Sequence, residues 1–404
     1  MTAQNREQVT TESSPEGQKP VICGVGMTPF VASDNRSLEE LLCIASERAL
    51  HDAGLDADSI NSVHVGNMAA EAFSESSGLA NKLVGTLGMT GAAAHRIENT
   101  SASGASAFQD AIFAIQTGRY DTVLAVGGEK MSTVDTATST EIISRISHDR
   151  EYAQGITLPS FAGLAADGYL REHSGTREDL AQVAVKNHTN ALSNEYAQFR
   201  KEIDQDDVLT SPPVADPIRL YDCCPTGDGA AAVVVRSGST SSTGRHNTEV
   251  EVAACESATG THAVADRTDP LEIASVRTAG DHAYRTAGFG PKSIDVACIH
   301  DAFTILEWLE MEELDLAPTG KAWQLTRDGR TRVDGTIPVN PGGGLKARGH
   351  PIGATGLSQI IELVWQLRGD VPEKRAVEAP RRGLALNVAG FGNNAVCTLL
   401  ETST

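Results

Sequence analysis

Lysine is scarce in this chain and long apolar runs are missing. Of 33 basic residues among 404, nine are lysine and 24 arginine, set against 53 acidic residues for a net charge of −20. Such a surface repels phosphate backbones and anionic headgroups, which excludes a general nucleic-acid or membrane-surface role. An acidic, lysine-poor protein stays soluble where salt screens its self-repulsion, so the composition points to a salt-adapted cytoplasm; an ordinary acidic enzyme is the plainer alternative. No run of 18 apolar residues occurs, so no membrane span is expected. Residues 1–19 lack the apolar segment of a signal peptide and read as a disordered polar extension.

Other absences narrow the chemistry. The seven cysteines, at 23, 43, 223, 224, 255, 298 and 397, are an odd number without C-x-x-C spacing. They fit reduced, largely buried thiols better than a disulfide framework or a zinc site, and neither a metal nor a cofactor is expected. The "GVG" of "PVICGVGMTPF" lacks a third glycine and precedes a proline, which rejects a dinucleotide loop. No G-x-S-x-G occurs, which argues against a serine esterase or thioesterase.

What the chain does contain is an internal duplication. "ASERALHDAGLDADSINSVHVGN" (45–67) aligns without a gap on "AGDHAYRTAGFGPKSIDVACIHD" (279–301), and "SASGASAFQDAIFAIQ" (101–116) on "HPIGATGLSQIIELVW" (350–365). Each first segment reads as a helix stopped by glycine and followed by a strand. Two halves of alternating helix and strand predict α/β layers with buried sheets. The first half is expected over 20–128 and 223–242, a polar helix-rich loop domain over 129–222, and the second half over 248–404. "SGSTSSTGRHNT" (237–248) reads as the linker between them.

The duplication sets Ser101 and His350 at matching positions, each opening a helix where free backbone N–H groups favour developing negative charge. His350 lies in "NPGGGLKARGHPIGATG" (340–356), whose glycines let backbone approach a ligand. His300, in "CIHDAF", emerges where a buried strand ends. A serine nucleophile, a histidine base and a second histidine near the reacting carbonyl make an acyl-transfer set. Each has a plainer reading: Ser101 as a helix cap, His300 as a satisfied core histidine, the glycines as turn formers.

At these residues the sequence resembles the thiolase family, and within it the sterol-carrier-protein-x-like and archaeal branch. "GVGMTPF", "AVGGEKMS", "DGAAAVVV" and "NPGGGLKARGHPIGATG" follow the family's order, while "DCCPTGDGAA" and "HDAF" match the archaeal branch. With the acidic composition, the chain resembles a haloarchaeal β-ketothiolase catalytic subunit. The resemblance implies a five-layered αβαβα fold with an inserted loop domain and a homodimer or higher oligomer. It also implies a reversible Claisen condensation of acetyl-CoA with an acyl-CoA to 3-ketoacyl-CoA and CoA, which feeds polyhydroxyalkanoate, isoprenoid or fatty-acid metabolism. Its C-x-S motif falls on Ser101-Ala102-Ser103, its Gly-His-Pro histidine on His350, and its Asn-Glu-Ala-Phe asparagine on His300. The C-x-G cysteine is missing: Asn387, Ala389 and Gly390 occupy that region, and Ala302 stands where an H-D-C-F cysteine would. Met131, Phe303 and Gly349 are implied at the substrate. Archaeal thiolases associate with a small OB-fold, zinc-ribbon protein, which here must come in trans because the chain lacks zinc-ribbon cysteines.

The serine is a weaker nucleophile than a thiolate, and its oxygen ester a weaker acyl donor, so a slow catalyst is expected. The competing reading is a catalytically silent subunit that binds acyl-CoA or scaffolds a partner. Ketoacyl synthases share the fold, but the quoted segments are thiolase-like throughout.

Overall fold

The two copies of the repeat fold alike in the computed structural model, which describes residues 19–238, 246 and 248–402. In the first, helix Leu38–Ala53 stops on Gly54 at φ 67, a 3-10 turn spans Ala57–Ser59, and strand Ser62–Gly66 follows. In the second, helix Ala274–Ala287 stops on Gly288 at φ 76, with a turn at Pro291–Ser293 and strand Val296–Cys298. Both stops need the left-handed backbone that glycine adopts without a Cβ clash. The polar extension and most of the linker lie outside the described residues.

The strands are β1 (Pro20–Met27), β2 (Ser62–Gly66), β3 (Ala93–Ile97), β4 (Thr122–Lys130), β5 (Pro213–Ala215), β6 (Ile218–Arg219), β7 (Asp228–Ser237), β8 (Val250–Thr259), β9 (Val296–Cys298), β10 (Arg382–Ala389) and β11 (Asn394–Thr402). Nine form a mixed sheet in the order β3-β2-β4-β7-β1-β8-β11-β10-β9, and β5 pairs with β6. Each half sets a parallel pair, β2–β4 or β9–β10, beside antiparallel neighbours. The halves join where β1 meets β8, through Val21 opposite Glu251 and Ile22 opposite Val250. The second half's counterpart of β3 shrinks to one parallel bridge, Ala297 to Val339.

Helices Ser103–Gln116 and Ile352–Arg368 lie between the two halves of the sheet. Phe108, Ile112, Leu357 and Ile361 pack there against Val123 and Val233 on one side and Val252 and Val396 on the other. Helix Leu38–Ala53 covers the outer face of the first half through Leu41, Leu42 and Ala49. Val276, Ala279 and Ala283 of helix Ala274–Ala287 cover the second, together with Leu306 and Leu309 of helix Thr304–Glu313. Alternating α and β layers result, and strands buried on both faces explain the near-continuous apolar runs of β4 and β7. Gly24 and Gly26 of β1 serve this packing: a Cβ on them would fall 2.2 Å from Ala49 O and 2.4 Å from Ala49 N. Residues 129–222 carry the helices Thr136–Ser144, Asp149–Tyr152, Leu158–Glu172, Arg177–Ala191 and Gln205–Thr210. Among the described residues no helix is long and apolar enough to cross a membrane.

Candidate active site

The two central helices cross at glycines. A Cβ on Gly104 would lie 2.5 Å from Gly353 O, and one on Gly356 2.5 Å from Ala105 N. This close crossing brings the residues just ahead of each helix together, and Ser101, His350 and His300 line one cavity of about 340 Å³.

Ser101 does not cap its helix. The cap position is Ala102, and Ser103 does the local bonding, donating to Thr100 O (2.7 Å) and accepting from Asn99 N (2.9 Å). The expectation of free amides at this helix start needs correction, because Ala102 N and Ser103 N already donate to Asn99 O and Thr100 O. Thr100 holds φ 44, an uncommon backbone for a β-branched residue, and this turn delivers Ser101 to the cavity. Among the described residues no protein group hydrogen-bonds the Ser101 hydroxyl, which leaves it available as a nucleophile.

His350 is anchored from behind. Thr355 Oγ1 donates its one hydrogen to Pro351 O (3.0 Å), so it accepts from His350 Nδ1 at 2.7 Å. The network thereby assigns the ring hydrogen to Nδ1 and leaves a lone pair on Nε2, the form a general base requires. Burial, aided by the Arg348 guanidinium, pushes the His350 pKa down to about 3, so the ring is neutral at physiological pH.

His300 has the opposite polarity. Asn387 Nδ2 lies 2.9 Å from its Nδ1, and since an amide N–H only donates, Nδ1 accepts and the hydrogen sits on Nε2. The rings of His300 and His350 meet edge to face, with centroids 5.2 Å apart at 88°. Burial, then His350 and Arg348, hold the His300 pKa well below its ordinary value. The ring of His300 is therefore neutral at physiological pH. It is a neutral hydrogen-bond donor, and Glu310 Oε2 fixes its backbone by accepting from His300 N at 2.7 Å.

Met131 and Phe303 join the cavity wall, as does Gly390. Met131 is held between Lys130 and Ser132, which both bind the buried Asp228 carboxylate. Gly349 and Ala389 are not in the wall: Gly349, at φ 107, faces Phe30 and Gln198, and Ala389 is buried in the central core. Asn387 stands behind His300 and acts through it. Sequence reasoning missed Thr355, whose signal was its spacing of five residues from His350. It also gave Cys223 and Cys224 no part in the site, yet both line the cavity, and Cys224 N donates to Ala302 O at 2.8 Å. Burial, partly opposed by Lys346, pushes both thiols up to about 12, so neither is a ready thiolate.

Comparison with known proteins gives a consistent result. The family model described as the thiolase N-terminal domain matches residues 20–239, and the thiolase C-terminal domain-like model matches 256–402. An acetyl-CoA acetyltransferase of Methanothermobacter thermautotrophicus is 38% identical over 374 residues, covering 93% of this chain and 97% of the relative. Sterol carrier protein 2 of Bos taurus is 31% identical, covering 97% and 74%. Among solved structures, the Ltp2-ChsH2(DUF35) aldolase shares the fold at a TM-score of 0.80 and 23% identity, covering 94% of this chain and 97% of that one.

Proposed function

The chain belongs to the thiolase family, beside archaeal acetyl-CoA acetyltransferases and sterol carrier protein 2, and from that premise we propose that it is a β-ketothiolase working through a seryl acyl-enzyme. The observation that carries this reading is the complementary pair of imidazoles: His350 offers a lone pair and His300 an N–H in the cavity that holds the unpaired Ser101 hydroxyl.

In the proposed sequence, His350 Nε2 takes the Ser101 proton as Oγ attacks the thioester of the first acetyl-CoA, while His300 Nε2–H stabilises the thioester oxygen. The C–S bond breaks and His350 returns the proton to the departing CoA thiolate. Neutral again, His350 accepts a proton from Cα of the second acyl-CoA. The carbanion attacks the seryl ester, and Ser101 leaves with the proton from His350. The balance is two acyl-CoA consumed, one 3-ketoacyl-CoA and one CoA formed. The cavity wall is mainly apolar, suited to acyl and pantetheine groups. Ser101→Ala should abolish condensation and thiolysis, whereas Ser101→Cys should keep or raise them, because the thiolate attacks better and the thioester is the better acyl donor. Full activity in Ser101→Ala would remove the serine from the mechanism and leave a cavity thiol as the nucleophile, whereas a wild type without activity would leave the silent-subunit reading.

The chain is further read as a cytoplasmic oligomer, a homodimer or larger, that works with a separate small subunit. The paired name of the Ltp2-ChsH2(DUF35) aldolase is in line with the latter. The net charge of −20 and only nine lysines support a salt-rich setting.

A further inference from the structure

Strands β2 and β3 run parallel with His64 directly opposite His95, and their rings lie 4.4 Å apart at 65°. The same face of β2 carries Gly66, where a Cβ would come within 2.6 Å of Ser103 O, so helix Ser103–Gln116 rests on it. Asp110 of that helix brings Oδ2 to 3.7 Å from His95 Nε2. One donor atom from each of His64, His95 and Asp110 falls within 4.8 Å of the others.

His64 supplies an independent observation. It is 3% exposed, its Nε2 lies 3.1 Å from Ser62 Oγ, and its Nδ1 has no hydrogen-bond partner. A buried imidazole nitrogen with no protein partner, beside a second imidazole and a carboxylate, is free to hold an ion. The other two side chains are half-exposed, at 50% and 46%, and give an ion a route from solvent.

We infer that His64, His95 and Asp110 bind a divalent transition-metal ion of the imidazole-and-carboxylate class, zinc above all, with a fourth position open. Tetrahedral zinc holds nitrogen and oxygen donors at about 2.0–2.2 Å, so an ion seated among the three would draw the half-exposed His95 and Asp110 towards His64. The duplication sharpens the assignment. Cys298 and Gln359 hold the positions equivalent to His64 and Asp110, and Gln359 Nε2 spends its hydrogens on Leu386 O and Cys298 O. The matching pair therefore also faces itself in the second half, but as a closed hydrogen-bonded contact without a third ligand. The ion's role is structural: His95 and Asp110 bracket Ser101 in sequence, so the metal clips the strand that enters the strained Thr100 turn to the helix that leaves it. The inference is independent of the proposed acyl transfer.

The test uses the full chain stripped with a chelator and reloaded with Zn²⁺. Wild type should take up one zinc per chain, and its Tm should rise by roughly 3 °C at a hundredfold excess over Kd. His95→Ala and Asp110→Asn, both half-exposed, should lose the uptake and the rise while keeping the circular dichroism of the metal-free protein. Equal zinc uptake and equal Tm rise in wild type and both variants would overturn the site. Should a variant unfold, Co²⁺ substitution of wild type still decides: visible d–d absorption of a low-coordinate nitrogen and oxygen site is expected, and its absence contradicts the proposal.

Discussion

The entrances to the two central helices occupy matching places in the repeat, yet they treat their key side chains oppositely. In the first half, the hydroxyl five residues on from Ser101, that of Ser106, accepts from Asn99 Nδ2 at 2.9 Å, and Ser101 is left unpaired. In the second, the equivalent hydroxyl, that of Thr355, accepts from His350 itself at 2.7 Å. One scaffold thus presents a side chain free to attack and another held in the tautomer that removes its proton. The difference shows how duplication divides labour: the helix crossing is common to both halves, and the side chain preceding each helix sets its chemistry.

The comparison breaks most severely if the held side chain is removed. His350→Ala should prevent acylation, lowering kcat/KM by about 10²–10⁴-fold, whereas His300→Asn, which keeps an N–H donor, should permit slow acylation and solvent-deuterium exchange at Cα. Loss of that exchange in His300→Asn with acylation intact would make His300 the carbon base. A smaller effect is expected behind the base: Thr355→Val should cost about tenfold in kcat with KM little changed, since a lost hydrogen bond of about 1.4 kcal/mol corresponds to that factor, and Thr355→Ser should restore it.

The pH profile sharpens the same point. With His350 pushed down to about 3, its base form persists through neutral pH, so kcat/KM should show no acid limb near 6.5 while the protein stays folded. Stability, however, should weaken on acidification. His64 and His188 at about 4 and His350 at about 3 are neutral when folded, so their contribution is intact above the unfolded pKa near 6.5. It declines as pH falls towards those folded values, by about 1.4 kcal/mol per pH unit per group. Denaturation monitored between pH 7 and 5 checks the sign. The weakest effect concerns the whole surface: Tm should rise as KCl is raised, because screening relieves the repulsion of a net charge of −20. A flat or falling Tm would favour an ordinary acidic enzyme.

Much of this arrangement was legible in the sequence because it rests on periodicity and glycine. The duplicated helix, glycine stop and strand are local patterns, and Gly104 and Gly353 align in the two copies and meet at the crossing. Other features depend on contacts between distant segments. The Asn387–His300 bond joins residues 87 apart, and only it shows which nitrogen of His300 carries the hydrogen. The fall of both histidine pKa values comes first from burial, which no motif encodes, with Arg348 adding to it at both rings and His350 at His300. Cys223 and Cys224 reach the cavity because the chain at 223–224 pairs with 302–303, after a loop domain whose path the sequence leaves open. His64, His95 and Asp110, spaced 31 and 15 residues apart, match no short ligand motif and meet only through strand register and helix packing.

The central claim is that Ser101 carries the acyl group, and rapid acid quench after mixing with acetyl-CoA, followed by peptide mapping, tests it most directly. The account predicts an acetyl group on the peptide containing Ser101, retained under mild hydroxylamine treatment that cleaves thioesters, and absent in His350→Ala. Acetyl on Cys223 or Cys224, or acetyl on Ser101 undiminished in His350→Ala, would contradict it.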